Sequence, residues 1–213
     1  NRDGHGENFS WNHGVEGETL APAIRARRKE DVKAMLALLF LSRGTPMLTA
    51  GDEFGRTQHG NNNAYAQDNE TTWLDWEKRD QELEEFAAAL SRLRTRHPAL
   101  ASSELLTGQA PHDGTLPDVS WFRANGEAMT SKDWDDPSNH FLGLTLTLPS
   151  HGGSGIDRGA IIINRNDGRI AVHLPPPGRG LKWDHALSTR PITGSSAGFE
   201  IAAHSVCVFL AAR

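Results

Sequence analysis

The sequence has little cysteine and tyrosine, no long apolar run and no excess of basic residues. With one cysteine in 213 residues, no disulfide can form within the chain, which is typical of a reducing cytoplasm. No stretch approaches the roughly eighteen apolar residues of a membrane span, and the opening residues do not form a signal peptide. The formal net charge of −5 gives no indication of a nucleic-acid or anionic membrane partner. We therefore predict a cytoplasmic protein with neither partner.

The absence of other motifs argues against several kinds of site. The histidines are scattered without ligand-like spacing, and the sequence contains neither a glycine-rich phosphate loop nor a nucleophile elbow. We predict no metal and no cofactor, and a buried, unreactive Cys207, because this thiol lies in an apolar run. The chain also lacks an initiator methionine and opens on polar loop sequence over residues 1–17. We therefore expect it to be the C-terminal piece of a longer protein.

The stretch around which the chain is organised covers residues 46–76. Residues 46–50 are apolar and predict a short buried strand. Some twenty polar residues follow, too rich in Asn, Gln, Asp, Gly and Thr to form a core, and loops of this length are usually functional or disordered. Tyr65, Trp73 and Trp76 argue against disorder. We predict an ordered loop that lines a binding site.

Two helices flank this loop. Apolar residues at helical spacing predict a helix over residues 23–42, which Gly44 and Pro46 end; its apolar face would consist of Ile24, Val32, Met35, Leu36, Leu39 and Phe40. The charged residues 25–30 in its first half are expected to form a solvated face. A second amphipathic stripe predicts a helix over residues 80–97, with acidic first turns and basic last turns that complement the helix dipole.

Beyond residue 98 the hydrophobic period changes from 3.6 to 2. Alternating or apolar runs predict strands over residues 119–123, 142–148, 160–164, 170–174, 199–202 and 206–210. Asp167-Gly168 predicts a hairpin turn between two of them. We expect an α+β chain with two parts: residues 1–99 with the two helices and the single strand, and residues 100–213 as an antiparallel β-sandwich.

The central stretch carries an ordered series of short motifs: Ala50-Gly51-Asp52-Glu53, Gly55-Arg56-Thr57-Gln58, Gly60-Asn61-Asn62-Asn63-Ala64-Tyr65, Gln67-Asp68-Asn69 and Trp73-Leu74-Asp75-Trp76. This series resembles the eighth-strand region of bacterial glycogen debranching enzymes and isoamylases, which are glycoside hydrolases of the α-amylase superfamily. Residues 11–17 are similar to the loop after the seventh strand of that family's barrel. The resemblance is strong over residues 1 to about 100 and weaker beyond.

The resemblance implies a fold and an activity. Residues 1–99 would be the helix-strand-helix end of a (β/α)8 TIM barrel, and the longer protein would hydrolyse α-1,6 branch linkages in glycogen or limit dextrin with retention of configuration. The family's catalytic carboxylates all lie upstream of this chain, so we expect no catalytic residue here and no activity from this chain alone. An isoamylase or a trehalose-forming relative is an alternative. The implied partners are a branched α-glucan and the missing N-terminal part.

Active sites of such barrels lie at the C-terminal ends of the strands, where the following loops build them. The resemblance therefore implies a substrate-binding set made of Asp52, Glu53, Arg56, Asn61, Asn62, Asn63, Tyr65, Gln67, Asp68 and Asn69. Amide, carboxylate and aromatic groups suit a polyhydroxylated ligand. The alternative is a loop that hydrogen-bonds to itself, which we favour for any single Asn, whereas we favour a substrate role for the loop as a whole.

Two other classes of function stay open. The chain could be a stand-alone carbohydrate-binding module, or a purely structural domain. Tryptophans at 73, 76, 121, 134 and 183 could contact sugar, although packing is the preferred interpretation for each. Without its barrel neighbours, the chain should either oligomerise through residues 24–50 or pack its two helices on the β-sandwich in a way that the longer protein does not.

Overall fold

A computed structural model describes residues 7, 9, 11–110, 116–152, 155–195 and 198–213. The helices are α1 (Pro22–Leu41), α2 (Gln81–Arg96), α3 (Pro98–Ala101) and α4 (Ser131–Asp135), and a 3₁₀ turn covers Asp52–Phe54. The strands are β1 (Val119–Phe122), β2 (Phe141–Pro149), β3 (Ile156–Asn164), β4 (Ile170–Val172), β5 (Lys182–Ser188), β6 (Thr193–Ser195), β7 (Gly198–Ile201) and β8 (Ser205–Ala212). The α+β class with dominant antiparallel sheets is as predicted.

Both predicted helices are confirmed within one residue at each end. Helix α1 begins at Pro22, whose fixed φ suits the first turn, and Ser42 caps its end through a hydroxyl that donates to the Leu38 carbonyl at 2.6 Å. Gly44 is left-handed, with a φ of 93°, but it lies beyond this cap and turns the chain away. Helix α2 begins after Asp80, whose carboxylate accepts the Leu83 N–H at 3.2 Å.

The predicted strand over residues 46–50 is wrong. These residues follow an irregular path with no ladder partner among the described residues. Leu48 packs against the neighbouring core, whereas Met47 is 86% exposed. A strand exists only where a neighbour pairs its backbone groups, and every strand of this structure begins beyond residue 118.

The strands form two antiparallel sheets that face each other. One has five strands in the order β1-β2-β3-β8-β5, and the other has three in the order β4-β7-β6. The predicted hairpin at Asp167-Gly168 is wrong, because β3 and β4 lie in different sheets. The Asn164 amide crosses this connection, donating to the carbonyls of Gly168 at 3.1 Å and Ala202 at 2.8 Å. Strands β5 and β6 are absent from the sequence prediction.

The apolar side chains form two cores, one on each face of the five-stranded sheet. The between-sheet core lies between the two sheets and consists of Phe122, Phe141, Ala160, Ile162, Val172, Trp183, Phe199, Ile201, Cys207 and Phe209. The helix-side core joins helices α1–α3 to the outer face and consists of Leu36, Ala37, Leu41, Leu83, Ala87, Leu90, Ala99, Leu100, Leu146, Leu148, Ile161, Val206 and Val208. The helices therefore pack on the β-sandwich, whereas the expected difference from their packing in the longer protein stays a prediction.

The predicted apolar face of α1 is only partly buried. Leu36 is buried, whereas Val32 and Met35 are exposed. The second half of this helix is apolar on all sides, so its periodicity does not identify the face that the sheet covers. Among the described helices, none is both long and apolar enough to cross a membrane.

The charged first half of α1 is only partly the solvated face that was expected, because Arg25 and Arg27 are exposed whereas residues 28–30 are half-buried. The Lys29 ammonium lies 2.6 Å from the Asp80 carboxylate, and the hydrogen bonds that it donates to Asp80 and Glu82 raise the pKa of Lys29 against the opposing effect of burial. Glu30 lies 2.8 Å from Arg190 of the β-sandwich. These residues connect α1 to the start of α2 and to the sheets.

Candidate active-site loop

The candidate loop, residues 51–79, begins with a tight turn. Gly51 and Gly55 both have left-handed φ values, 97° and 82°, on either side of the 3₁₀ turn. A side chain at Gly51 would also collide with Leu74 and Arg56, because an added Cβ would lie 2.7 Å and 2.8 Å from their side-chain atoms. Both glycines are therefore required by the backbone.

The aromatic ring of Phe54 anchors the turn to the body of the protein. This ring is buried and packs against the Trp76 ring with a centroid distance of 5.0 Å. The Phe54 carbonyl accepts the backbone N–H of Asp80, the N-cap of α2, at 3.0 Å. The two ends of the loop are thereby held together at the start of α2.

The carboxylates of Asp52 and Glu53 have different local partners. Asp52 accepts from Arg56 Nε at 2.8 Å, and the Arg56 guanidinium also donates to the Gln58 side chain at 3.2 Å. Glu53 instead accepts the N–H of Gly51 at 2.8 Å. The first pair stays about half exposed on the Asp52 side, so a ligand could reach its polar groups.

The asparagine-rich stretch is held by its own side chains. The Asn61 side chain accepts the N–H of Asn63 at 2.9 Å, and the Asn63 side chain accepts the N–H of Tyr65 at 3.3 Å. These are Asx turns, in which a short side chain replaces a backbone acceptor. Gln67 donates to the Asn63 carbonyl at 3.4 Å. Individual amides thus serve the loop's own shape, while Asn62 between them has an exposed side chain.

The far part of the loop presents aromatic rings to solvent. Tyr65 is 83% exposed, and Trp73, at 62% exposed, donates its indole N–H to Asp68 at 2.8 Å. Trp76 is 59% exposed although it contacts Phe54. The expectation that Trp73 and Trp76 pack in a core is therefore wrong.

The structure brings most of the predicted residues into two hydrogen-bonded groups on one loop, and Asn63 links them because it donates to Asn61 and accepts from Gln67. The first comprises Asp52, Arg56 and Asn61, joined through Gln58, which donates to the Asn61 carbonyl at 2.8 Å. The second contains Gln67 and Asn69, whose side chains lie 3.3 Å apart. Glu53 belongs to neither group because it folds back on Gly51.

Sequence reasoning did not predict how the N-terminal segment, residues 11–18, is held. Arg28 of α1 donates to three of its carbonyls: those of Asn12 at 2.8 Å and Gly17 at 2.7 Å, and that of Val15. His13 Nε2 lies 2.7 Å from Asp31, also on α1. These partners are eleven to eighteen residues apart, a separation that leaves no local sequence pattern.

The chemistry of the loop is that of a polar binding surface. It offers amides, carboxylates, a guanidinium and exposed aromatic rings, which together suit a polyhydroxylated ligand. At its outer end, hydrogen bonds from the side chain and N–H of Lys78 hold the pKa of Asp75 below its usual range. Within the described part of the chain, no three His, Cys, Asp or Glu side chains are grouped so that they could hold a metal ion.

Known sequences match this chain over nearly its whole length. Residues 118–208 match the family model described as "Isoamylase, C-terminal". A glycogen debranching enzyme of Enterobacter sp. is 46% identical over 214 residues, which covers 98% of this chain and 29% of that enzyme. The chain spans between 22% and 29% of the length of the first curated relatives that it matches.

Comparison with solved structures gives the same architecture. The apo pullulanase of Paenibacillus barengoltzii has a TM-score of 0.63 and 24% identity, covering 92% of this chain and 27% of that protein. A mutant of that pullulanase complexed with maltotriose also has a TM-score of 0.63 and 24% identity, covering 88% of this chain and 26% of that protein. At this identity, the likeness shows the fold.

Proposed function

Because this chain carries an isoamylase C-terminal domain and is related to glycogen debranching enzymes over nearly its whole length, we propose that it is the C-terminal part of such an enzyme. The longer protein would hydrolyse α-1,6 branch linkages in glycogen or limit dextrin as a retaining glycoside hydrolase. Residues 1–99 would complete its (β/α)8 barrel, and residues 100–213 would form the β-domain that stabilises it.

The observation that carries this proposal is the build of the candidate loop. Ten polar or aromatic candidate residues lie on one loop whose ends are tied at α2, and Asx turns fix its backbone. A loop with a fixed backbone can hold a ligand without first paying the entropy of ordering itself. Asp52, Arg56 and the exposed Tyr65 are the residues through which the loop would contact a glucan.

The catalytic carboxylates would come from the part of the longer protein that precedes this chain. A retaining glycosidase needs two carboxyl groups about 5 to 5.5 Å apart across the scissile bond. In this chain the adjacent Asp52 and Glu53 are engaged by Arg56 and by Gly51. We therefore propose that the chain alone is inactive and that the reaction uses no organic cofactor.

The partners follow from the same proposal. The substrate would be a branched α-glucan, and the preceding part of the enzyme would cover the exposed side chains of Val32, Met35 and Met47. Residues 46–50 would gain strand neighbours there. The lone reduced cysteine supports a cytoplasmic location.

The test compares the longer protein from the native gene with two substitutions in it. We expect Arg56→Ala to lower kcat/KM on a branched limit dextrin by about 10- to 150-fold, because losing a charge-assisted contact costs about 1.5 to 3 kcal/mol. Release of linear malto-oligosaccharides measures the rate. The control is Arg92→Ala, which removes an exposed arginine of α2 and should leave the rate unchanged. Equal rates for both variants would show that Arg56 does not contact the substrate. If the unmodified protein failed to hydrolyse the dextrin, the proposal would be refuted.

The second candidate is a stand-alone carbohydrate-binding module. It is favoured by the two cores, through which the 213-residue chain buries its own apolar side chains. The intact mass of the native gene product separates the two: a product near 23.3 kDa would favour the module, and one several times larger would favour the enzyme.

A further inference from the structure

A pair of tryptophans lies on the surface of the β-domain. Trp121 of β1 is 36% exposed and Trp134 of α4 is 52% exposed. Their ring centroids are 5.4 Å apart, and the ring planes are inclined at 78°. Trp183, by contrast, is buried and donates its indole N–H to the Pro175 carbonyl at 2.7 Å. The expectation that all three serve packing is therefore confirmed for Trp183 and wrong for Trp134, which is half exposed.

The backbone holds this pair in a fixed geometry. After β1 the chain reverses in a tight turn. The Gly126 N–H donates to the Arg123 carbonyl, and the Arg123 N–H donates to the Glu127 carbonyl, both at 2.8 Å. The Met129 N–H then donates to the Trp121 carbonyl at 3.0 Å. The returning chain therefore runs beside Trp121 and leads directly into α4, which carries Trp134.

Helix α4 is capped at both ends although it contributes nothing to either core. The Asp133 carboxylate accepts from both the N–H and the hydroxyl of Thr130 at 2.7 Å, which completes a capping box, and these bonds hold the pKa of Asp133 below its usual range. The Asn139 side chain donates to the Asp133 carbonyl at 3.1 Å. No residue of α4 is buried. The helix is thus a rigid support for an exposed indole.

Polar side chains lie close in sequence to the two tryptophans, in the turn after β1 and in α4. Arg123 pairs with Glu127, and its Nε lies 3.9 Å from the Asp133 carboxylate. Asn125 donates to the same Glu127 at 2.9 Å. The turn that follows β1 and the helix that carries Trp134 therefore also supply a guanidinium, two carboxylates and an amide, which are groups that recognise sugar hydroxyls.

We propose that Trp121 and Trp134 form a second glucan-binding surface, which holds a linear α-1,4-linked strand such as an outer chain of a branched glucan. An α-1,4-linked strand curves, so its successive sugar rings are inclined to one another and match two inclined indoles. A flat β-1,4-linked strand would instead require coplanar rings. The inference rests on the proposed function for its ligand class. The surface itself is built from residues 121–139 and is independent of the candidate loop.

The test is a titration of the 213-residue chain with maltoheptaose, followed by calorimetry and by the NMR signals of the indole N–H groups. We expect the Trp121 and Trp134 signals to shift on binding. Trp134→Ala and Trp121→Ala should each raise the Kd about tenfold, as is common for tryptophans that anchor a ligand. Because α4 buries no residue, Trp134→Ala should keep the circular dichroism spectrum of the parent chain.

Two controls sharpen the result. Trp73→Ala removes an exposed indole of the candidate loop and should leave the maltoheptaose-induced shifts of Trp121 and Trp134 unchanged. Cellopentaose, a β-1,4-linked strand, should bind at least about tenfold more weakly. The proposal is overturned if the parent chain does not bind maltoheptaose, if Trp134→Ala binds it equally well, or if cellopentaose binds as tightly.

The outcomes for the two proposals are separable. Hydrolysis of a branched dextrin is measured on the longer protein, whereas maltoheptaose binding is measured on the 213-residue chain. Binding without hydrolysis would leave the tryptophan surface standing and refute the enzyme. Hydrolysis without binding at Trp121 and Trp134 would refute the tryptophan surface and leave the proposed enzyme standing.

Discussion

The two cores of the molecule differ in composition and in origin. The between-sheet core contains four phenylalanines and a tryptophan and is drawn entirely from residues 122–209. The helix-side core has only aliphatic buried side chains, and eight of its thirteen buried residues come from helices α1–α3. The matched isoamylase C-terminal region, residues 118–208, therefore contains all of the first core except Phe209 and only part of the second. The first core belongs to the two sheets alone, whereas the second joins the helices to one of those sheets.

The largest expected effect comes from opening the between-sheet core. Phe209 is buried and packs against Phe199 with a centroid distance of 4.7 Å, so Phe209→Ala should lower the free energy of unfolding by about 3 to 5 kcal/mol. The measurement is urea denaturation followed by sheet and helix circular dichroism. Because the helices rest on this sheet, both signals should be lost together.

The matched change on the other face is Leu90→Ala in α2, which is equally buried. It should cost about 2 to 5 kcal/mol, but we expect the helix signal to be lost at a lower urea concentration than the sheet signal. Coincident loss of both signals in Leu90→Ala would contradict the distinction between the two cores.

A smaller effect is expected at Asp118, which joins the segment before β1 to the sandwich. Burial would raise the pKa of this carboxyl, but hydrogen bonds from the N–H and hydroxyl of Thr107 and from the N–H of Gly108, at 2.7 to 2.9 Å, outweigh it and lower the pKa. Asp118→Ala should cost about 3 kcal/mol, because it leaves these donors unpaired.

The pH dependence at Asp118 has a definite sign. Since its pKa is lower in the folded state, its contribution is complete above the unfolded value of about 4 and is lost as the pH falls through the folded value. Asp118→Asn should therefore flatten the acid limb of the stability curve, measured by thermal unfolding between about pH 2 and 6. An unchanged slope would exclude this carboxylate as its source.

A substitution at Arg94 tests how α2 holds the end of α1. The Arg94 guanidinium donates to the carbonyls of Phe40 and Ser42 at 2.7 Å and of Leu100 at 3.2 Å. Burial, and the nearby Arg43, lower the pKa of Arg94. Arg94→Met should cost about 2 kcal/mol by urea denaturation, whereas the same change at the exposed Arg92 should cost less than about 0.5 kcal/mol. Equal effects would mean that the three contacts contribute nothing.

The smallest effect is expected from labelling with a thiol reagent, whose rate measures how often the between-sheet core opens. Cys207 lies in the between-sheet core, and burial raises the pKa of its thiol to about 12. We expect labelling of the native chain only through opening of the sandwich. Leu90→Ala should therefore accelerate helix loss without a matching increase in the labelling rate. A labelling rate that follows the helix signal would show that the two cores open together.

The elements that the sequence predicted well are those that local chemistry determines. Helix α2 has its cap at Asp80, its apolar stripe and its closing proline within one short stretch. The Asx turns of Asn61 and Asn63 are local in the same sense, and a loop bonded to itself was foreseen as the alternative. The burial of Cys207 was predicted correctly, because an apolar run of that length has to be buried in the fold.

The failures concern properties that distant residues decide. Residues 46–50 have the composition of a strand, but no neighbour pairs with them in the part of the chain that the structure describes. Asp167-Gly168 forms a connection, yet nothing in the dipeptide specifies which sheet receives the next strand. The same holds for the contacts of Arg28 and for the exposure of Trp134, because the surface that covers a side chain is assembled from the rest of the fold.

The position of β8 has a consequence for how the protein is made. It lies between β3 and β5 and places Val206 and Val208 in one core and Cys207 and Phe209 in the other. Strand β8 is also synthesised after every other strand of its sheet. Until then one edge of β3 is unpaired on the ribosome, and an unpaired strand edge can pair with a neighbouring chain. The β3–β8 and β8–β5 pairings, and with them both cores, can therefore be completed only after β8 has been translated.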